Sequence, residues 1–363
     1  MKIIKNILIT LSILISIEGF GQELPFYSNY TINPLVFNPA HAGHNENLEM
    51  FLHHRTQWSG FEGSPVSQLF TMSAPLADIN SGIGVSIQND QRGLFNTLTG
   101  SVKYAYHIKL NQKSDLSFGL GLDIQNRLLR IGESTVRDVE DPLVNKGSTS
   151  ETFFDASFGV EYSLSNKLLL GLSVPQLLEG NQKKEGYLVE NSRYFIGQAS
   201  YIVNLTSSGN IKVQPVVLTR YAQNIPLQFD VNALVHYKDM FLVGIGYRND
   251  YAINLHAGVS LKNLRIRYVY DFATVNSNIN SGLSHEITLG YTIDLNKKEI
   301  VTLPPTTTLV KDKPLSADKI REILFLLIDE FFESSNKNPE ELKKVELLRA
   351  TIMKLLENFD ELK

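Results

Sequence analysis

The sequence predicts an all-β fold: a 14-stranded antiparallel transmembrane β-barrel, with a C-terminal α-helical hairpin after a Pro/Thr linker. Three observations predict it. First, apolar and polar residues alternate with period two over much of residues 46–296. Second, the alternating runs are about 9 to 14 residues long. That exceeds the five or six of an ordinary globular strand and suits a tilted strand crossing a bilayer. Third, the connections between runs sort by parity, with the longest ones all falling on one side.

Composition agrees and excludes several alternatives. Of 363 residues, 43% are hydrophobic and 20% charged, with 15 Tyr, 19 Phe and 24 Gly, a mix that suits sheets and turns. A formal net charge of −4 lacks the basic excess of a nucleic-acid binder. The absence of Cys excludes disulfides, thiol catalysis, Cys-ligated zinc, iron–sulfur clusters and a lipid-modified cysteine.

Residues 1–21 read as a signal peptide. Lys2 and Lys5 precede an apolar run from Ile7 to Ile17, and Gly19 and Gly21 offer a small-x-small cleavage site before Gln22. The alternative is an uncleaved anchor, but the run falls well short of the ~20 residues that span a bilayer. Residues 22–45 form a segment before the first strand, which Asn33-Pro34 and Asn38-Pro39 are expected to hold extended. It either hangs in the periplasm or enters the lumen.

The barrel spans 46–296. Strands are expected at about 46–57, 64–75, 82–92, 95–109, 115–129, 152–164, 167–178, 193–204, 210–221, 226–237, 240–248, 251–261, 264–273 and 282–295. The tenth is typical. Leu227, Phe229, Val231, Ala233, Val235 and Tyr237 share one face; Gln228, Asp230, Asn232 and His236 share the other, interrupted by Leu234. The longest connections, 130–151, 179–192 and 274–281, are the fifth, seventh and thirteenth. Ser165-Asn166, Lys238-Asp239 and Lys262-Asn263 make tight even ones. Outer-membrane barrels place short turns in the periplasm and long loops outside. An even strand count then puts both barrel ends, and with them the N- and C-termini, in the periplasm.

Charged residues fall on the polar face and are expected in the lumen: Asp123, Arg127, Glu161, Arg220, Asp230, Arg248, Arg265, Arg267, Asp271 and Glu286. They read either as a self-satisfying salt-bridge network or as the lining of a selective channel. His53 and His54 are adjacent and point to opposite faces. His107, His236, His256 and His285 lack ligand spacing, so no metal or other cofactor is expected. His256, Ser260 and Asp230 face inward, but no motif sets a nucleophile beside its base, and no enzymatic activity is expected. Gly82, Gly84, Gly119 and Gly121 lie within strands with no helix following. They read as small lumen residues rather than a phosphate loop.

Residues 297–315 are a linker, with three prolines and a Thr triplet between Leu303 and Pro314. Residues 316–363 read as two helices. Val345, Leu348, Ile352, Leu355, Phe359 and Leu362 are spaced 3, 4, 3, 4, 3, facing either the first helix or a periplasmic partner protein.

Two stretches carry a family resemblance. Gln22 to Tyr30 leads into Asn38-Pro39-Ala40-His41-Ala42-Gly43. Arg55-Thr56-Gln57-Trp58-Ser59-Gly60-Phe61-Glu62-Gly63-Ser64-Pro65 follows, and Ser284-His285-Glu286-Ile287 to Gly290-Tyr291 closes the barrel. Together they resemble the PorP/SprF family of outer-membrane proteins of the Bacteroidota type IX secretion system. The resemblance implies a non-enzymatic barrel in the outer-membrane lipid. It implies service in protein secretion or gliding motility, with type IX components or secreted surface proteins as partners. The competing reading is a general porin or nutrient channel. Trp58, the only Trp, sits at the tip of the first hairpin, where its ring is expected to meet the membrane interface.

Overall fold

The structure is a computed structural model and describes residues 27–60, 63–130, 148–178, 193–223, 225–274 and 283–295. The expected signal peptide, the linker, the two C-terminal helices and most of the three long connections lie outside the described residues.

Fourteen antiparallel strands close into a barrel. They are β1 (Leu48–Thr56), β2 (Val66–Leu76), β3 (Ser81–Arg92), β4 (Phe95–Asn111) and β5 (Ser114–Leu129). Then come β6 (Thr149–Leu164), β7 (Leu168–Val174) and β8 (Tyr194–Tyr201), which resumes after Ile202 as Val203–Asn204. The rest are β9 (Ile211–Ala222), β10 (Ile225–Tyr237), β11 (Phe241–Arg248), β12 (Ala252–Leu261), β13 (Leu264–Ala273) and β14 (Ser284–Ile293). Each pairs with its sequence neighbours, and β14 pairs with β1 from Leu48↔Ile293 to Thr56↔His285, which removes any free edge. The expected strand count holds, with β7 stopping earlier than the alternation suggested because Pro175 follows Val174.

The tight turns have a local cause. Ser165 and Asn166 both adopt positive φ (55° and 52°), as do Lys238 and Asp239 (53° and 54°), the twist that matches a two-residue hairpin. These turns lie at one end of the barrel, here the turn end. The connections containing 131–147, 179–192 and 275–282 leave from the other, the loop end.

Alternation sorts the side chains as the sequence predicts. Ile287 is 42% exposed on the outer wall while Thr288 is fully buried. Leu122, Phe154, Leu172 and Val243 are among the most exposed apolar residues. Phe195 with Tyr221 and Phe229 with Tyr247 form outward aromatic pairs near the loop end, ring centroids 6.4 and 6.2 Å apart. Tyr201, Tyr237, Phe241 and Tyr291 stand outward near the turn end. An apolar belt between two aromatic rims is what a bilayer selects. On β1–β3 the outward residues Leu48, Met72, Ala74, Ile83, Val85 and Ile87 depart from the exposed belt and form one buried apolar cluster.

This register makes a prediction. Ile287→Arg puts a charge into the lipid belt and should cost about 2–4 kcal/mol. Thr99→Arg, which enters the polar cavity described below, should cost less. Urea midpoints of the folded, heat-modifiable form measure both; equal losses would refute the register.

Candidate functional site: a lumen filled by the N-terminal segment

The segment Tyr27–Asn45 enters the lumen. It does so as three 3₁₀ turns, Ser28–Thr31, Pro34–Val36 and Pro39–His41, rather than as the extended chain that Asn-Pro pairs suggested. Asn38 itself is extended, as a residue before Pro should be, with φ −120° and ψ 109°. Pro39 then starts the turn at its first position, and Asn38 Oδ1 caps it by accepting the Ala40 N–H at 3.0 Å. The Asn-Pro-Ala motif is therefore a capped turn.

The segment runs against β1. Its described start contacts the loop end of the barrel, and Gly43 reaches the turn end, where the chain reverses into β1. Tyr27 and Leu48 thus lie at opposite ends. The chain termini themselves, expected together on one side, lie outside the described residues. The barrel's ends, Leu48 and Ile293, do pair with each other, but the chain climbs the lumen before entering β1. Burying Tyr27, Tyr30, Leu35, Phe37 and Ala40 is the physical reason.

The wall satisfies the buried backbone and polar groups of this segment from nearly every side. At the loop end, Glu286 accepts the N–H groups of Ser28 (2.6 Å) and Asn29 (2.9 Å). Arg55 bridges Glu286 at 3.3 Å and Asp271 at 2.6 Å, and donates to the Tyr251 hydroxyl at 3.1 Å. Arg248 pairs with Asp230 at 2.9 Å and donates to Ser28 Oγ at 3.0 Å. At mid-height Asn33 Nδ2 donates to Thr71 Oγ1 (2.8 Å) and to His53 Nε2 (3.0 Å), which places the His53 proton on Nδ1, donated to Thr288 Oγ1 at 2.8 Å. Lys103 Nζ donates to the Leu35 carbonyl at 2.6 Å, and Asn232 to the Tyr30 hydroxyl at 2.8 Å. Lower down, Asn38 Nδ2 donates to the Val160 carbonyl at 3.2 Å. Glu161 meets His41 at 3.0 Å and His44 at 3.1 Å. Gly43 N–H ends the series on Ser73 Oγ at 2.7 Å.

The apolar side chains have their own place. Tyr30 and Phe37 pack on an inward patch of Tyr194, Ile196, Val216, Leu218, Leu234 and Leu242. Leu234, the break in the polar face of β10, belongs to this patch. The strand glycines are clearance. A Cβ at Gly82 would overlap the Ala42–Gly43 backbone, and one at Gly119 the Pro39–Ala40 peptide. Another at Gly159 would strike the Asn38 side chain.

The remaining expected residues fall as follows. Asp123 and Arg127 line a polar cavity of ≈ 130 Å³ beside the segment, together with Lys103, Asp90 and Asp155. Arg265 pairs with Glu49 at 2.6 Å, and Arg267 donates to Ser260 Oγ at 3.2 Å. His256 is engaged by Asn232 and Asn254, Ser260 by Arg267 and Asp230 by Arg248, so those three form no catalytic set. Gln57 N–H closes the first hairpin on the Pro65 carbonyl at 2.9 Å. Gly63, at φ +77°, accepts from Gly93 N–H, tying that hairpin to the β3–β4 turn. Gly60 is an exposed turn residue there.

Trp58 departs from expectation. It is half-buried, its ring 6.4 Å from that of buried Tyr251, and its backbone N–H donates to Ser284 Oγ at 3.2 Å. It lies over the Arg55 network instead of facing the membrane interface, because Tyr251 offers a ring on the lumen side. The sequence alone does not single out His44 or Lys103, and it marks Asn33, His41, Tyr27 and Tyr30 only as parts of the N-terminal motifs, with no contact for any of them. The signals for them were the His41-x-x-His44 spacing and the Asn-Pro repeat.

The profile described as type IX secretion system membrane protein PorP/SprF matches residues 19–291. The chain belongs to the PorP/SprF family. Its matched span takes in both the lumen-filling segment and the closed barrel. Family and fold together make it an outer-membrane β-barrel associated with type IX secretion. No curated protein matches it in sequence. Among solved structures it is similar to Acinetobacter baumannii Omp33, at 9% identity and TM-score 0.41, covering 69% of this chain and 99% of that one. It is also similar to the Pseudomonas putida toluene transporter TodX, at 11% and 0.43 over 72% and 93%. A Pseudomonas aeruginosa FadL homologue matches at 11% and 0.39 over 71% and 92%.

If the glycines are clearance, Gly119→Val should lower the unfolding midpoint by the equivalent of about 1–3 kcal/mol of overpacking. In a chain lacking residues 22–45 the same substitution should cost little. A double-mutant comparison of thermal midpoints reads the coupling, and equal losses in both backgrounds would sink the clearance reading.

Proposed function

We propose that this PorP/SprF protein is a closed outer-membrane anchor of type IX secretion, handling or holding secreted surface proteins and contacting periplasmic machinery. The observation that carries this reading is the filled lumen. A channel needs a continuous polar path, whereas here a buried segment with wall-satisfied backbone occupies the centre of the barrel. In planar bilayers the purified protein should give no steady open conductance, and a chain lacking residues 22–45 should conduct. A stable open pore in the full chain would favour the porin reading instead.

With long loops outside, as in outer-membrane barrels generally, the turn end faces the periplasm. Leu295 then leads the tail from 297 into the periplasm, and Tyr27 faces outward. A linker of about 12 extended residues at ~3.1 Å each reaches roughly 35–40 Å. Residues 316–363 carry 8 Lys+Arg against 11 Asp+Glu, which disfavours docking on anionic lipid. The stripe Val345, Leu348, Ile352, Leu355, Phe359 and Leu362 is assigned to a periplasmic partner protein. Removing 297–363 should leave a folded barrel in the outer membrane while a co-purifying partner is lost. Unchanged secretion with no partner lost would make the tail dispensable.

A further inference from the structure

Among the inward carboxylates, Glu161 is held differently from the rest. Asp230, Asp271 and Glu286 each lie against an arginine. Glu161, 1% exposed on β6, has no lysine or arginine partner among the described residues and faces two imidazoles instead. His41 closes the third 3₁₀ turn. Gly43, at φ +67°, then lets the chain reverse so that His44 N–H bonds back to the His41 carbonyl at 3.1 Å. That turn brings the two rings to 4.8 Å between centroids, 16° from parallel. Both Nδ1 atoms address the same carboxylate oxygen, at 3.0 and 3.1 Å, and all three donor atoms lie within 4.8 Å of one another.

We infer that His41, His44 and Glu161 form a zinc site that latches the lower end of the lumen segment to β6. Two imidazole nitrogens and one carboxylate are a ligand set zinc takes, with water in the fourth position. Bonds of about 2.0–2.2 Å give tetrahedral donor separations of roughly 3.3–3.5 Å, a few tenths of an ångström beyond the two N···O distances present. The Nδ1–Nδ1 edge needs only side-chain rotation, since both residues sit on a short turn outside the strands. The ring protons move to Nε2, leaving Nδ1 free to bind. His44 is partly exposed at the turn end, which gives the ion a way in. The set lacks thiolates and has too few oxygens for calcium. The inference does not depend on the secretion reading, because it concerns only how the segment is fixed.

The test uses the full-length chain in detergent after EDTA treatment and dialysis. Co²⁺ should give a visible d–d band that saturates at one ion per chain, and one equivalent of Zn²⁺ should quench it. Zn²⁺ should also raise the unfolding midpoint by several degrees, since it binds only the folded site. Glu161→Gln and His44→Asn should each abolish the band and the gain, while His54→Asn, on the outer wall, should keep both. Should Glu161→Gln fail to fold, His44→Cys decides: it retains a ligand and should add a sulfur-to-cobalt charge-transfer band. Lack of a band in the folded full chain, a band surviving both Glu161→Gln and His44→Asn, or no charge-transfer band in His44→Cys overturns the inference. The cluster is then only a hydrogen-bonded histidine–carboxylate group.

Discussion

Glu286 is the point on which the rest of the molecule turns. It sits on the last strand, directly across the closing seam from Arg55 on the first. One carboxylate oxygen takes the Arg55 guanidinium and the Ser28 N–H, and the other takes the Asn29 N–H. Closing the barrel and filling it are therefore one event electrostatically. A fully buried carboxylate is expensive to desolvate and survives only with cationic and N–H partners. Here those partners come from two parts of the chain more than 200 residues away in sequence. Breaking one side leaves the others with an uncompensated buried charge, typically worth several kcal/mol.

The same constraint explains the lumen's unusual composition. A backbone without regular sheet or α-helical pairing, placed inside a barrel, must find a partner for each polar group, since bulk water is excluded. The wall answers with Thr71, Lys103, Glu161, Asn232, Arg248 and Glu286, each at the height of the group it serves. Where the segment is apolar, at Tyr30 and Phe37, the wall turns apolar. Where its backbone touches the wall, at Ala40 and Ala42, the wall residue is Gly. The inner face is thus a template of one short peptide, a property that neither a water-filled pore nor a uniform salt-bridge lining would require.

Much of this was legible in the sequence, and the missing part has a physical cause. Strand number, register and loop parity followed from the two-residue period, because a bilayer outside and a polar interior punish any slip in it. Lumen charges such as Asp230, Asp271 and Glu286 followed from the same parity. What alternation cannot report is which inward residues meet across the lumen, since those contacts depend on barrel closure and on a segment outside the alternating region. Leu234 registered only as an irregularity, and Gly119 only as a small residue. A hairpin-tip Trp fits a membrane interface by sequence alone, and nothing local reveals Tyr251 beside the Trp58 ring. Pro's effect on the preceding residue suggests an extended chain at Asn38-Pro39, but Pro39's place at the first position of a turn decides the conformation.

The path of the segment adds a constraint on assembly. Tyr27–Asn45 lies inside a ring whose seam joins residues about 240 apart in sequence, and the segment bonds to both sides of that seam. Asn33 is bonded to His53 on β1, which bonds to Thr288 on β14, a second rung below Arg55 and Glu286. Pulling a folded segment through a finished barrel would require breaking buried polar contacts at every height without replacement. Closing β1 onto β14 around a segment already seated on β1 breaks none, because Asn33 to His53 and Ser28 to Arg55 are contacts within the first 55 residues. Such short-range contacts close with far less loop entropy than the seam itself. The segment's polar contacts include both strands that meet at the seam, so the seam closes on it, while β2, β4, β6, β10 and β11 hold it from the other sides.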